Sequence, residues 1–131
     1  MNEQKAQRIE QEKIDRKEAV NELYRLDLLN LPLGENNYDG YVKVLVEGVI
    51  SNLEKIDAII SESLVNYTID RLSYVDRAII RVATFEMLNG FKKVIAINEA
   101  VELTKELTNL DDDKQKAFNN SLLDKISKRI W

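Results

Sequence analysis

The sequence predicts an all-α fold, a compact bundle of about seven helices. Apolar residues recur at steps of three and four in several segments, and no segment alternates apolar and polar residues as a half-buried strand would. The 131 residues include one proline and four glycines, which favours many helices and short connections. We therefore expect a single domain over residues 1–131, with residues 1–12 as a polar N-terminal extension that is helical and either frayed or projecting into solvent.

The first half of the chain contains three predicted helices. The first covers residues 13–29 and ends near the L-P-L-G segment, because a residue that precedes proline disfavours the helical conformation. After a loop at residues 35–39, a second helix covers residues 41–56 and contains Gly48, which we expect to let a neighbouring helix approach closely. Asp57 is a candidate cap for a short third helix.

The central predicted helix covers residues 75–88, with Ser73 as its candidate N-cap. Its apolar residues go nearly all the way round the helical wheel, so we expect it to be buried on most sides. Glu86 lies on a buried side of this helix, and a buried carboxylate must be paired or hydrogen-bonded. We expect Glu86 to accept hydrogen bonds from the backbone amides of a neighbouring helix or from an adjacent side chain, in a structural role.

Two more helices are predicted in the rest of the chain. Asn89-Gly90 is typical of a helix C-terminus, and the next helix covers residues 92–107. A hydrophilic loop at residues 108–116 leads to the last helix, at residues 117–129. The acidic run at residues 111–113 lacks the glycine and the glutamate that a calcium-binding EF-hand loop requires, so we interpret it as solvated.

The composition excludes several classes of site. The chain contains no cysteine and no histidine, which excludes disulfides, thiol nucleophiles, histidine general bases and zinc sites of the usual kind. No apolar run approaches the roughly 18 to 20 residues that a membrane span needs. The net charge of -4 argues against indiscriminate nucleic-acid binding but allows a local basic face. We expect a cytoplasmic protein with no catalytic residue, no metal and no cofactor.

A basic cluster lies on the first helix. Lys13, Arg16 and Lys17 fall on one face, and Tyr24 continues that face two turns further on. Cations can hold phosphates and an aromatic ring can stack an unpaired base, which is how single-stranded RNA is usually bound. The alternative is a solvated face, because acids interleave with these cations at helical spacing: Glu10, Glu12, Asp15 and Glu18. The chemistry of these residues alone favours the solvated face.

Three motifs occur in order along the chain. They are V-D-R-A-I-I-R-V-A-T-F-E-M-L at residues 75–88, V-I-A-I-N-E-A-V-E-L-T-K at residues 94–105 and F-N-N-S-L-L-D-K-I at residues 118–126. Together they resemble the signature and the closing helix of the NusB transcription antitermination family, and the resemblance extends over about residues 16–128. It implies an all-α NusB-like bundle that binds RNA and a protein partner and has no catalytic activity of its own.

The resemblance also implies where the ligands bind. Members of the family act with NusE, a ribosomal small-subunit protein, on the single-stranded boxA element of ribosomal RNA transcripts, within the RNA polymerase antitermination complex. The implied RNA-binding residues are Lys13, Arg16, Lys17, Tyr24 and, from the late loop, Lys116. The implied partner-binding residues are Asp76, Arg77 and Arg81, which match exposed charged positions of the central motif.

This chain departs from the family pattern at both ends. Relatives place several arginines almost consecutively near the N-terminus, whereas here Lys5, Arg8 and the cations of the first helix are scattered among acids. Fewer phosphate contacts imply weaker RNA binding and a shallower dependence on salt. In the last motif the family prefers F-V-N-G, and this chain has F-N-N-S at residues 118–121.

Two other interpretations compete with an RNA-binding adaptor. A degenerate relative would keep the bundle as a protein-interaction module, a possible homodimer, without RNA recognition. A NusB-like domain also precedes the catalytic domain of some ribosomal RNA cytosine methyltransferases, but those use a catalytic cysteine, and this chain ends at Trp131 without one. We therefore expect no enzyme activity.

Overall fold

The computed structural model describes residues 2–32, 38–108 and 113–131. Within these residues it contains six α-helices, one 3-10 turn and no strand, which confirms the predicted all-α fold. The helices are α1 (Glu3–Leu28), α2 (Gly40–Ser51), α3 (Leu53–Ser63), α4 (Tyr74–Leu88), α5 (Lys93–Thr108) and α6 (Asp113–Ser127), and the 3-10 turn is Ile69–Arg71. None of the described helices combines the length and the apolar character that a transmembrane segment requires.

Helix α4 forms the centre of the bundle. It packs against α1, α2, α3, α5 and α6, and 11 of its 15 residues are buried. The prediction that the nearly all-round apolar pattern marks a helix buried on most sides is confirmed. Ser73 caps this helix as predicted, because its hydroxyl oxygen accepts a hydrogen bond from the backbone N–H of Asp76 at 3.0 Å.

Gly48 lies where α2 and α4 approach each other closely. A Cβ atom at this position would lie 2.2 Å from the Phe85 ring of α4. A larger residue would therefore have to displace that ring, which outweighs the cost of about 1 kcal/mol that glycine carries inside a helix. The predicted close helix approach at Gly48 is confirmed.

Two helix boundaries differ from the predicted ones in the first half of the chain. Helix α1 begins at Glu3, so the expected helical extension is present at residues 3–12 and is continuous with the helix predicted from residue 13. The single helix predicted over residues 41–56 is wrong, because the chain divides into α2 and α3 at Asn52. The side-chain amide of Asn52 donates to the Gly48 carbonyl oxygen at 2.8 Å, and such a side-chain bond to the preceding turn competes with helix continuation.

Two residues lie in structural settings that differ from the predicted ones. Asp57 is not a cap, since it lies inside α3 and faces Arg81 of α4. Helix α6 begins at Asp113 rather than at residue 117, so Lys116 lies on a helix and not in a loop. Three predicted features fall partly outside the described residues: the loops at residues 35–39 and 108–116 and the acidic run at residues 111–113.

Candidate RNA- and partner-binding surface

Helix α1 directs Arg16 into the bundle. The residue is 3% exposed, and its guanidinium makes a two-point contact with the Glu86 carboxylate of α4, in which Nε donates to Oε1 at 3.0 Å and Nη2 donates to Oε2 at 2.8 Å. Arg16 lies on the same side of α1 as the buried residues Ala19 and Val20. The expectation that Arg16 belongs to an open cationic face is wrong, because this side of α1 packs against α2 and α4.

Glu86 is the acceptor of a network that joins three helices. It is 1% exposed, and Tyr41 of α2 donates its hydroxyl hydrogen to Oε2 of Glu86 at 2.6 Å. The prediction that Glu86 is a buried carboxylate bonded by adjacent side chains is confirmed. We call Arg16, Glu86 and Tyr41 the buried network; it ties α1, α2 and α4 together.

Burial and hydrogen bonding shift the titration of this network. Burial by itself lowers the pKa of Arg16, but the hydrogen bonds and the negative charge of Glu86 raise it more, so the pKa lies above its ordinary value. The pKa of Tyr41 is raised because burial disfavours the phenolate and because the hydroxyl donates to Glu86. Near neutral pH, Arg16 is therefore charged and Tyr41 is neutral.

Lys13 and Lys17 lie on the exposed edge of α1. Their side chains are 48% and 43% exposed. Nζ of Lys13 lies 3.8 Å from Oε1 of Glu99, and Lys17 forms an ion pair with Glu106. Both acids belong to α5, so we call these two contacts the α1–α5 ion pairs. The structure leaves both lysines at the surface and pairs each with a carboxylate.

The other two predicted RNA-binding residues lie in different settings from these lysines. Tyr24 is half-buried, and its side chain packs against the hydrophobic core. Lys116 lies on α6, and its Nζ is 3.6 Å from Oδ1 of Asp113 in the preceding turn. The structure therefore brings Lys13 and Lys17 together beside α5, places Arg16 beneath that surface, and puts Lys116 on another helix.

Asp76 is buried at the start of α4, with 4% exposure. The Ser73 hydroxyl donates to Oδ2 of Asp76 at 2.7 Å, and Nδ2 of Asn119, on α6, donates to Oδ1 at 2.9 Å. The expectation that Asp76 occupies an exposed charged position is wrong, because both carboxylate oxygens are bonded within the bundle.

Arg77 and Arg81 also point toward neighbouring helices. Nε of Arg77 donates to Oδ2 of Asp27 at 2.7 Å, and Arg81 donates through Nε and Nη2 to the two carboxylate oxygens of Asp57 at 2.9 and 2.8 Å. Asp27 lies on α1 and Asp57 on α3, so the two arginines join three helices. The expectation that they are exposed is wrong, since their side chains are 11% and 14% exposed. Their part in partner binding stays a prediction.

Asn119 is a structural residue that the sequence analysis missed. It is 0% exposed, its Nδ2 also donates to Oγ1 of Thr104 at 3.0 Å, and Gln115 donates to its Oδ1 at 3.0 Å. Its spacing was the available signal, because it lies three, four and seven residues before the buried apolar residues of α6. A polar residue at a core position needs partners. The family residue Asn120, in contrast, is exposed.

A model of the NusB family matches residues 3–128. The chain belongs to the NusB family. The transcription antitermination protein NusB of Bacillus licheniformis is 36% identical to it over 121 residues, which cover 85% of this chain and 92% of that protein. The resemblance carried by the three sequence motifs is therefore confirmed.

Solved NusB structures share the fold of this chain. NusB of T. maritima superimposes with a TM-score of 0.74 at 26% identity, over 91% of this chain and 92% of that one. A crystal structure of the antitermination factors NusB and NusE in complex with double-stranded RNA matches with a TM-score of 0.76 at 31% identity, over 89% of this chain and 96% of that one.

Proposed function

We propose that this NusB-family protein is an RNA-binding transcription antitermination factor that acts with NusE on boxA-type ribosomal RNA leader sequences. Relatives carry the name transcription antitermination protein, and one solved relative is bound to NusE and double-stranded RNA. The protein joins the RNA polymerase antitermination complex in the cytoplasm. In our proposal it acts by binding and not by catalysis; the chain has no thiol nucleophile and no histidine general base.

The observation that supports an RNA surface on α1 is the half-exposed lysine pair. Lys13 and Lys17 lie one turn apart and present their ammonium groups at the edge of the bundle. Ammonium groups in this position contact successive phosphates of a single strand. Tyr24 supplies a ring for base stacking two turns further along the helix, and Lys116 adds a cation from α6.

The buried charges support this surface from beneath. In our proposal Arg16 contacts no phosphate; through the buried network it stabilises the folded packing of α1 against α4, on which this surface depends. Asp76, Arg77 and Arg81 act in the same way on the NusE side, where they hold the first half of α4 against its neighbours. They are positioning residues for the partner surface.

A second candidate function is a protein-interaction module without RNA binding, possible as a homodimer. Two observations favour it: Arg16 is turned inward, and Lys13 and Lys17 are each paired with an acid of α5. Such a protein would form its partner complex with no dependence on RNA.

Binding to a boxA-type RNA oligonucleotide distinguishes the two candidates. Fluorescence anisotropy is measured with and without NusE, at low and moderate salt, on the single strand, on its duplex and on a scrambled single strand. We expect the tightest binding for the single-stranded boxA sequence with NusE present, and weaker binding as salt rises. No binding in either the presence or the absence of NusE rejects the proposed function, and an RNA-independent NusE complex then supports the interaction module.

A further inference from the structure

Two acids of α5 lie against the two lysines of the proposed RNA surface. Glu106 forms an ion pair with Lys17, and Glu99 lies 3.8 Å from Lys13. Glu106 is 54% exposed and Glu99 is 22% exposed, so both carboxylates face the same solvent that an incoming strand would cross. Each ammonium group has a carboxylate where a phosphate oxygen would bind.

We propose that Glu99 and Glu106 compete with RNA phosphates for Lys13 and Lys17 and thereby set the RNA affinity of the protein. This inference rests on the proposed function, since it assumes that α1 contacts RNA. An exposed lysine–carboxylate pair is weak, equivalent to at most about a fivefold change in an equilibrium constant, so a strand can displace it. The displaced contact nevertheless subtracts from the affinity of binding.

The two acids differ in how cleanly they can be tested. Oε2 of Glu99 also lies 3.9 Å from Nη1 of Arg16, so a substitution there touches the buried network as well. Glu106 pairs with Lys17 alone among the described residues, and both side chains are about half-exposed. Glu106 therefore provides the direct test.

The matched control is Glu102. It is exposed on α5, one turn from Glu106, and forms no ion pair among the residues that the structure describes. Glu102→Gln removes the same charge from the same helix, so it measures the general effect of a less acidic surface. Any excess effect of Glu106→Gln reports competition at Lys17.

The experiment is a double-mutant cycle on boxA-type RNA binding in the presence of NusE. We expect Glu106→Gln to bind RNA about threefold more tightly than Glu102→Gln at low salt, with the difference shrinking as salt rises. When Lys17 is also replaced by Gln, Glu106→Gln and Glu102→Gln should change RNA affinity equally, because Glu106 then has no lysine for which to compete. The thermal unfolding midpoint of Glu106→Gln should match that of the parent protein.

Two results would overturn the inference. One is an equal effect of Glu106→Gln and Glu102→Gln, and the other is an excess effect that persists without Lys17. In either case the parent protein still binds RNA, so the proposed function stands. If no variant binds RNA, the parent included, the proposed function fails and the inference fails with it.

Discussion

Charged residues on α1 meet two different environments within one turn. Arg16 is 3% exposed and bonded at two points to Glu86, whereas Lys13 is half-exposed and 3.8 Å from Glu99. Removing one partner of a buried pair costs about 3 to 5 kcal/mol, because the remaining charge stays buried without compensation. An exposed pair is worth about 0 to 1 kcal/mol. The buried network therefore stabilises the fold, whereas the α1–α5 ion pairs contribute little to stability and keep their lysines at the surface.

The same contrast separates two neighbouring asparagines of α6. Asn119 is fully buried and bonded to Asp76 and Thr104, while Asn120 is exposed. Charged and polar residues in family motifs thus divide into groups that hold the helices together and groups that face outward. The burial of each side chain, and not its position in the motif, shows to which group it belongs.

The largest expected effect comes from Glu86→Gln. It removes the carboxylate that bonds the buried Arg16 guanidinium at two points and leaves only Glu99, 3.9 Å away, as a counter-charge, so the free energy of unfolding should fall by about 3 kcal/mol in urea denaturation at neutral pH. RNA affinity measured on the folded fraction should not change. Glu54→Gln, at an exposed position of α3, should shift stability by no more than about 0.5 kcal/mol. Unchanged stability with lost RNA binding would contradict the structural role of Glu86.

Asn119→Val places at this position the residue of the F-V-N-G pattern named in the sequence analysis, and it should destabilise this chain. The buried Asp76 carboxylate loses a donor and gains none, so we expect a loss of about 2 kcal/mol in the free energy of unfolding. The same change at the exposed Asn120 should alter it by about 0.5 kcal/mol or less. Equal effects at the two positions would mean that the bonds to Asn119 contribute nothing measurable.

Tyr41→Phe should cost about 1 kcal/mol near neutral pH, because Glu86 loses one donor. The pKa of Tyr41 is raised in the folded protein, whereas a phenol in the unfolded chain ionises near pH 10. The stability that this group contributes is therefore fully present below about pH 10 and is lost as pH rises further. Unfolding curves of parent and variant between pH 8 and about 11 should converge at the alkaline end. A constant or widening difference would contradict the raised pKa.

The smallest effect on stability is expected for Lys13→Gln with Lys17→Gln. Only the α1–α5 ion pairs are lost, so the free energy of unfolding should change by less than about 1 kcal/mol. RNA affinity should fall severalfold, and the slope of log affinity against log salt should become shallower by about 1.4 for two lost single-strand phosphate contacts.

The matched control for the lysine variant is Lys43→Gln with Lys55→Gln. These lysines are exposed on α2 and α3 and have no ion pair among the described residues. Replacing both removes the same two positive charges as the Lys13 and Lys17 substitutions do. The control should bind RNA nearly as the parent protein does. An equal loss of affinity in both double variants would show that net charge alone, and no surface on α1, governs binding.

The sequence by itself determined the helical fold and the family. Apolar spacing located the central helix and predicted its burial, because a helix that is apolar on most sides has no polar face to turn to water. It also predicted the close approach at Gly48 and the paired state of Glu86. The three motifs were sufficient to recognise NusB relatives, because they are local strings that need no tertiary information.

Only the tertiary structure decided which partner each charge meets. Arg16 lies three, four and seven residues before the buried Ala19, Val20 and Leu23, so helical spacing places it within the apolar face, whereas Lys13 falls at the edge of that face. The rest of the chain presents a different partner to each one: the buried Glu86 of α4 bonds Arg16 at two points, whereas Lys13 stays at the surface, 3.8 Å from Glu99. That pairing joins residues 70 positions apart in sequence, and no local pattern encodes it.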